Sequence, residues 1–366
     1  MNNILITLLF FSNYNLSPIF FYFGIPSELD LLLVIGIFFH QLINFFMRGK
    51  FNENILFILI LLCAILSLNF ISFSLIEVAY PVLNIIISFF LVTNILNQKN
   101  ESFIIDTKKY SLYFIIFSLI GLISTACYFF IVIDLNNTPE IIDRFNRQGL
   151  ALFFIIILGI NYFFQKLFNF HIPTITLVIF LVGLPSIILL QSRTLMIVYL
   201  FYFMFLLIDF GIKRSIKYLL PVTVLLIIYY FEQITLFAPR LFDFSISGSA
   251  DMNSIQSRIL SFINYFDDII YYPFNRMPMN EFLSGNYPHN FLLEIAFDFG
   301  ILIAAIVAFI FIKNFFFNLK YFYTFLPIYL SLLVSYSIYN SKIFFFLFFL
   351  NLYFIFNFNA YLKKHE

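Results

Sequence analysis

The sequence predicts an all-α, polytopic membrane protein with about twelve transmembrane helices. Apolar residues make up 62% of its 366 residues and charged residues only 11%, whereas soluble domains average about 45–50% apolar and about 25% charged residues. Water cannot solvate such a surface, so lipid must surround most of the chain. Apolar segments of about 20 residues, the length that crosses the hydrocarbon layer, recur at 4–23, 29–47, 54–72, 76–95, 110–133, 149–165, 172–190, 194–211, 216–236, 289–312, 321–338 and 343–361.

The predicted spans follow one another closely along the chain. The first is the weakest, because the polar run Ser12-Asn13-Tyr14-Asn15 lies near its middle. We expect it to remain as a span, since Met1-Asn2-Asn3 lacks the basic residues that begin a cleavable signal peptide. No internal repeat is visible, which argues against a two-fold transporter. Residues 1–366 are therefore predicted to form a single integral membrane domain.

Lysine and arginine predict the orientation of the spans, because cytoplasmic connections carry an excess of both. With the N-terminus inside, most of the 20 basic residues fall in cytoplasmic connections, and both termini are predicted to be cytoplasmic. The outer set is almost entirely arginine, whose planar guanidinium binds phosphate and carboxylate oxygens in pairs, whereas lysine dominates the inner set. The outer residues are Arg144, Arg147, Arg193, Arg240, Arg258, Arg276 and Lys342.

One large outer loop, predicted to be periplasmic, covers residues 237–288. It includes a stretch in which apolar residues recur every three or four positions, which predicts an amphipathic helix lying along the membrane interface. Pro273 follows the end of this helix, as a helix stop should. The apolar stripe consists of Ile255, Ile259, Phe262, Phe266 and Ile269.

Three outer arginines are candidates for binding an anion. Arg193 lies between two spans with almost no loop to carry it into water, so it must snorkel or line a wet cavity. Arg258 lies on the polar face of the amphipathic helix, where it either contacts a substrate or is simply solvated. Arg147 lies just before a span, where it either faces a substrate or forms a local salt bridge within a solvated loop.

His289 opens the tenth predicted span, directly after the arginine-bearing loop. A single histidine at a helix start is often structural. Here, however, Asn290, Glu294 and Asp298 follow it at four-residue spacing on one helical face. Carboxylates inside a span by default mark a cavity. We therefore expect His289 to belong to a polar site, with Glu294 lining a cavity behind it.

The sequence lacks the motifs that are typical of several other kinds of chemistry. The chain has no P-loop, no Gly-rich dinucleotide turn, no H-E-x-x-H motif and no paired-cysteine metal spacing. Cys63 and Cys127 fall within apolar spans and are predicted to be small buried hydrophobes. Nothing in the sequence resembles a nucleic-acid-binding patch, and the net charge of +1 indicates no particular partner. We expect neither a metal nor a cofactor.

Two short motifs precede the long loop. Gln191-Ser192-Arg193-Thr194 stands at the start of a span, and Arg147-Gln148-Gly149 lies in an earlier outer loop. They resemble the Ser-Arg and Arg-x-Gly motifs of the O-antigen polymerase and O-antigen ligase superfamily, the Wzy-type bacterial membrane glycosyltransferases. The predicted topology of the whole chain resembles that of the same superfamily.

The long loop and the span after it extend this resemblance. Arg258 followed by Pro273 resembles the family's loop motif, although Phe274-Asn275-Arg276 stands where a Gly-x-Gly commonly follows. His289-Asn290 with Gly300 resembles the family's His-Asn and glycine signature. The ligase branch commonly carries a serine four residues after the histidine, and Leu293 at this position favours the polymerase branch.

The resemblance implies a glycosyl transfer on the periplasmic side of the bacterial inner membrane, without nucleotide or metal. An undecaprenyl-diphosphate-linked oligosaccharide would be the donor, and the sugar of a second lipid-linked repeat unit the acceptor. A chain-length regulator and a flippase of the same pathway are possible partners. The predicted catalytic residues are His289, Arg258 and Arg193, and the predicted substrate-binding residues are Arg147, Asn290 and Glu294.

The residue types suit this chemistry. Arginine binds phosphate oxygens bidentately and stabilises charge that grows on a leaving diphosphate. A neutral imidazole, with an unperturbed pKa of about 6.5, can accept the proton of an attacking sugar hydroxyl, although His289 could instead orient a substrate. Two alternatives stay open. An O-antigen ligase would use the same chemistry with a lipid A-core acceptor, and a flippase would need polar or aromatic residues across both leaflets.

Overall fold

The computed structural model describes residues 2–26, 28–48, 55–60, 75–100, 105–134, 147–190, 193–211, 217, 221, 263, 290–335 and 342–362. Every regular element within these residues is helical, which confirms the predicted all-α class. The helices before the long loop are α1 (Asn2–Tyr22), α2 (Glu28–Arg48), α3 (Leu75–Asn100), α4 (Thr107–Asp134), α5 (Arg147–Leu167), α6 (Pro173–Leu189) and α7 (Arg193–Asp209). Those after it are α8 (Phe291–Phe299), α9 (Ile301–Phe317), α10 (Leu319–Phe322), a 3-10 turn (Tyr323–Phe325), α11 (Leu326–Ser335) and α12 (Lys342–Leu362).

Several of these helices are long and apolar enough to cross a membrane. By length and composition, three described segments meet this requirement, Leu29–Met47, Thr107–Ile131 and Gly149–Leu167. The number rises to five if two bent pairs each count as one span. The helices are thus compatible with a membrane protein, while the predicted total of about twelve spans stays a prediction.

Some predicted elements lie wholly or largely outside the described residues. The interfacial helix and its loop are described only at residue 263, and the predicted span 216–236 only at residues 217 and 221. Of the predicted span 54–72, residues 55–60 are described and are helical. These predictions therefore stay untested.

The chain divides into two compact units by the contacts within it, while the single integral membrane domain suggested by the sequence stays a prediction. The first comprises Met1–Val34, Ile104–Ser245 and Thr324–Ile328, and the second comprises Ile35–Phe103, Ile246–Tyr323 and Tyr329–Glu366.

Helix α5 forms the centre of the first unit. Its segment Gly149–Leu167 is 94% buried, and it packs against α1, α4, α6 and α7. A helix that is apolar on all sides can be stable only inside other structure or lipid, and here four helices cover it. The close approach of α5 to its neighbouring helices depends on small residues, as helix packing within membranes also does. A Cβ added at Gly159 would lie 2.6 Å from the Tyr202 hydroxyl of α7.

The polar run of the first predicted span is accommodated within this packing. Helix α1 continues through it, with a 64° bend between Asn2–Asn13 and Asn15–Tyr22. Asn13 and Asn15 are both buried, and the Ser124 hydroxyl of α4 donates a hydrogen bond to the Asn15 carbonyl oxygen. Asn13 and Asn15 thus lie inside the first unit, and the Asn15 backbone contacts α4. Cys127 of α4 is buried, as predicted.

A buried hydrogen-bond network joins α4, α5 and α6. The Tyr110 hydroxyl donates to Asn161 Oδ1 at 2.7 Å, and Asn161 Nδ2 donates to Thr176 Oγ1 at 2.8 Å. Gln165 Nε2 lies 3.1 Å from both Asn161 Oδ1 and Thr176 Oγ1. Its Oε1 accepts from the backbone N–H of Ile172 at 2.9 Å, just before α6 begins. Asn161 is therefore the common member of the network.

Replacing Asn161 by leucine should destabilise the first unit. The change orphans the Tyr110 hydroxyl and removes partners from Thr176 and Gln165, and each buried polar group left unsatisfied costs about 1–3 kcal/mol. We expect the thermal midpoint of the purified protein in detergent to fall by several degrees. The matched control is Asn2→Leu at an exposed position, which should leave the midpoint nearly unchanged. Equal midpoints for the two variants would contradict a stabilising role for the network.

The second unit contains a sharp reversal at Gly300. In a straight helix, residues 291 and 311 would lie about 30 Å apart. Instead, the rings of Phe291 in α8 and Phe311 in α9 are 5.7 Å apart between centroids. Gly300 has φ 90° and ψ 156°, a conformation open essentially only to glycine. Helix α8 therefore folds back along α9, with Gly300 at the turn.

This reversal corrects the predicted span 289–312, which was expected to be one continuous helix. Its apolar composition does not distinguish a continuous helix from two helices packed on each other. Within the following predicted span, 321–338, a 3-10 turn separates α10 from α11. The sharp bend lies before this span, since the axes of Ile301–Phe316 and Leu319–Leu333 differ by 98°.

Helix α12 packs along α9 in the second unit and runs in the same direction. Phe311 contacts Phe344 near the start of α12, with ring centroids 6.1 Å apart. Farther along both helices, Asn314 Nδ2 donates to the Asn351 carbonyl oxygen at 2.7 Å. Because α8 is antiparallel to α9, it is antiparallel to α12 as well. Helix α3 covers another side of α12, with Phe89 and Phe349 in contact.

Candidate functional site

Two of the predicted arginines begin helices of the first unit. Arg147 is the first residue of α5 and Arg193 the first residue of α7; only their backbones are described. Arg258 and His289 lie outside the described residues. The structure therefore gives the backbone positions of Arg147 and Arg193 only. The proximity of Arg193, Arg258 and His289 stays a prediction.

Helices α5 and α7 run in the same direction. Gly159 lies against Tyr202, and one turn farther along both helices the rings of Tyr162 and Phe205 are 5.9 Å apart. The two helices therefore begin at the same end of the first unit. Their first residues differ in level by about one helical turn, or about 5 Å.

Two arginines and two helix N-termini thus lie at one end of the first unit. A helix N-terminus carries partial positive charge from its unsatisfied N–H groups. The partial positive charge of a helix N-terminus does not stabilise an arginine, because cations are stabilised at helix C-termini. An anion at this end would be attracted by the two helix ends. The structure places the first residues of α5 and α7 at one end of this unit, and the predicted periplasmic face stays a prediction.

Asn290 has a structural role that the sequence analysis missed. It is the N-cap of α8, and its Oδ1 accepts hydrogen bonds from the backbone N–H groups of Leu292 and Leu293 at 3.0 and 3.2 Å. An asparagine directly before an apolar helical run is a known N-cap signal. The side-chain oxygen Oδ1 of Asn290 is engaged in the cap. The side-chain nitrogen Nδ2 is therefore the group of Asn290 that suits donation of a hydrogen bond to a substrate oxygen.

Glu294 lies in the first turn of α8, where its negative charge suits the N-terminal end of the helix. Its side chain is only 1% exposed, and its backbone N–H donates to the Asn290 carbonyl oxygen at 2.9 Å. A buried carboxylate within an apolar helix is costly and by default marks an internal polar site. Glu294 is thus enclosed within the second unit, and its predicted place in a substrate cavity stays a prediction.

Substitutions of Asn290 should separate its two roles. Asn290→Ala removes the cap and should cost about 1 kcal/mol of stability, measured as a lower thermal midpoint. Asn290→Ser keeps a capping oxygen, so its midpoint should stay near that of the wild type. If Nδ2 also contacts substrate, Asn290→Ser should raise the KM for a lipid-linked repeat unit several-fold despite normal stability. An unchanged KM would restrict Asn290 to capping.

Comparison with known proteins gives no relative from which a role could be transferred. No family model, curated protein or solved structure matches the chain. The resemblance to O-antigen polymerases therefore depends on the sequence motifs alone.

Proposed function

We propose that this protein is a Wzy-type polymerase of O-antigen or a related surface polysaccharide. It transfers an undecaprenyl-diphosphate-linked glycan onto a second lipid-linked repeat unit at the periplasmic face of the inner membrane. One structural observation carries the proposal beyond the motifs. Arg147 and Arg193, which the sequence assigns to diphosphate binding, begin two parallel helices at the same end of the first unit.

The proposed role of this end is to hold the donor diphosphate. A guanidinium group binds two phosphate oxygens at once and remains charged at any physiological pH. As the glycosidic bond to the diphosphate breaks, negative charge grows on the leaving oxygen. Arg193 stabilises that charge in the transition state, and Arg147 supports binding of the diphosphate. The prenyl chain stays in the surrounding lipid.

The proposed role of the segment before α8 is to activate the acceptor. His289 accepts the proton of the attacking sugar hydroxyl, and Arg258 contributes a further positive charge to the leaving diphosphate. Asn290 caps the helix that follows His289 and so fixes where that helix begins. Nδ2 of Asn290 and the carboxylate of Glu294 contact sugar hydroxyl groups of the substrate.

A transporter is the second candidate, and one observation favours it. Helices α8 and α9 form a broken pair that reverses at Gly300, and discontinuous helices commonly form the substrate sites of secondary transporters. A flippase for the same lipid-linked oligosaccharide would also bind its diphosphate through arginine. An O-antigen ligase would differ from the polymerase only in its acceptor.

A reconstituted assay separates these functions. The purified protein is placed in liposomes with lipid-linked repeat units extracted from cells of the source organism that lack this gene, without nucleotide sugars and with EDTA. A polymerase produces a ladder of longer lipid-linked glycans on a gel. Transfer only to added lipid A-core indicates a ligase. Movement of repeat units between leaflets without a change in length indicates a transporter and overturns the proposal.

A further inference from the structure

One face of α9 is apolar and exposed along most of the helix. Its members recur every three or four positions, so they form a single stripe on the helix surface. This apolar stripe consists of Leu302, Ile306, Phe309, Ile312 and Phe316, each of which is more than half exposed. From its first member to its last, the stripe is about 21 Å long, which exceeds the roughly 15 Å of hydrocarbon in one leaflet. The stripe is therefore long enough to accommodate a lipid acyl chain.

Two lysines lie near the end of the apolar stripe. Lys313 follows Phe309 by one helical turn, and its Nζ lies 5.9 Å from the centre of the Phe309 ring. Lys320 is the second residue of α10 and is exposed, and its Nζ lies 5.7 Å from the centre of the Tyr321 ring. The backbones of the two lysines are no more than about 12 Å apart along the helices. Their long, flexible side chains can therefore reach one common anion.

The positive charge of these two lysines is not balanced by acids of the surrounding helices. No aspartate or glutamate occurs between Asp298 and Glu366, and α9, α10, α11 and α12 all lie within that range. Glu294 of α8 is 1% exposed and lies about 9 Å along the hairpin from Gly300, whereas Lys313 lies about 20 Å from it. Within the described ranges, an aromatic ring rather than a carboxylate contacts each ammonium group. The lysines therefore present charge that an anion from outside the chain can balance.

This arrangement favours an anionic phospholipid over another protein surface. A phospholipid carries its phosphate at the end of its acyl chains, just as the lysines lie at the end of the apolar stripe. A second copy of this chain fits the face less well. In a two-fold contact the same patch lies on both partners, so Lys313 and Lys320 of both copies would meet at one depth of the membrane and repel each other.

We propose that this face of α9 binds an anionic phospholipid, with an acyl chain along the apolar stripe and the phosphate at Lys313 and Lys320. The sequence assigns both lysines to the cytoplasmic side, where anionic lipids give the leaflet a negative surface potential that attracts such residues. The site lies apart from the residues assigned to glycosyl transfer. It rests on exposure and charge and does not depend on the proposed function.

A single tryptophan beside the lysines tests the site in the full-length protein. The chain contains no tryptophan, and Phe316 is 74% exposed, so Phe316→Trp places the probe at the end of the stripe. The variant is reconstituted in phosphatidylcholine vesicles that contain a small fraction of either phosphatidylglycerol or phosphatidylcholine with brominated acyl chains, which quench tryptophan on contact. From the quenching curves, phosphatidylglycerol should bind about 30-fold more tightly, which is about fivefold, or about 1 kcal/mol, for each lysine.

Substitution of the lysines should remove this preference in steps. In the Phe316→Trp background, Lys313→Gln and Lys320→Gln should each lower it about fivefold, and the double variant should quench equally with both lipids. The matched control is Lys109→Gln, which removes the same charge from an exposed lysine paired with Asp106 and should leave the preference intact. Raising the salt from 0.1 M to 1 M should abolish the preference without any lysine substitution, because the Debye length falls from about 10 Å to about 3 Å.

The position of the probe decides between the possible occupants of the face. Ile123→Trp, at a residue of α4 that is 49% exposed, should report equal quenching by both brominated lipids. Equal quenching at position 316 as well would make the stripe an ordinary lipid-facing surface and overturn the proposal. Weak quenching by both lipids at position 316 would show that another protein surface covers the stripe, and it would overturn the proposal too.

Discussion

Replacing His289 by alanine should abolish long-chain polysaccharide while the protein still inserts into the membrane. A sugar hydroxyl is a weak nucleophile unless its proton is accepted as it attacks, and a positioned general base contributes about 10²–10⁴-fold in rate. A loss of this size leaves only single repeat units on the cell surface. The measurement is the ladder of surface polysaccharide on a gel, in cells whose own copy of the gene is deleted.

The matched control for this substitution is His171→Ala. His171 is exposed and lies between α5 and α6, so the substitution removes an imidazole of no proposed role. It should leave the ladder unchanged. A wild-type ladder from His289→Ala, at a normal protein level, would remove His289 from the proposed mechanism.

Arg258→Ala should also eliminate the ladder, because an electrostatic contact that acts mainly in the transition state is worth about 10²–10³-fold in rate. Arg258→Lys keeps the charge but loses the bidentate geometry, so it should recover only part of the activity. Full activity in both variants would assign Arg258 to a solvated helix face, the alternative that the sequence left open.

Gly300→Ala should open the α8–α9 hairpin. Alanine strongly favours a helix, whereas φ 90° and ψ 156° at this position cost a residue with a side chain about 1–3 kcal/mol. The substitution therefore favours a continuous helix, which separates Phe291 from Phe311. We expect both a lower thermal midpoint and loss of polymer, because the start of α8, which directly follows His289, would no longer pack against Phe311.

Spin labels on cysteines at Leu292 and Phe309, in a cysteine-free background, measure this opening. One straight helix would place these positions about 25 Å apart, whereas the hairpin holds them side by side. The control is Gly211→Ala, which also replaces a glycine of positive φ but lies outside the hairpin. It should leave the distance and the polymer unchanged. A short distance in Gly300→Ala would show that the turn does not require glycine.

Composition predicted the helical class and most helix positions, because apolar runs that cannot face water have few other solutions. The predicted spans 29–47, 110–133, 149–165 and 343–361 each coincide closely with a described helix. The same signal failed at the predicted span 289–312, where two apolar helices pack on each other. A glycine within an apolar run does not reveal which backbone conformation it adopts.

For the candidate site, the structure gives the positions of some predicted residues, while their roles stay predictions. The sequence identified Arg147 and Arg193 as span-start arginines, and both begin helices. It assigned Asn290 to a substrate, whereas its side-chain oxygen caps α8. It counted Lys342 only as an outer charge, because nothing local indicates that a lysine at a span start becomes buried. That burial depends on helices distant in sequence.

The sequence by itself determined that the chain is helical and apolar, and that Arg147, Arg193 and His289 lie next to apolar segments, since these properties follow from composition and residue order. Only the tertiary structure decided that α5 and α7 begin at the same end of the first unit. Only it decided that α8 folds back at Gly300. The physical reason is that these features depend on contacts between helices far apart in the chain, and an apolar surface is equally suited to lipid or to another helix.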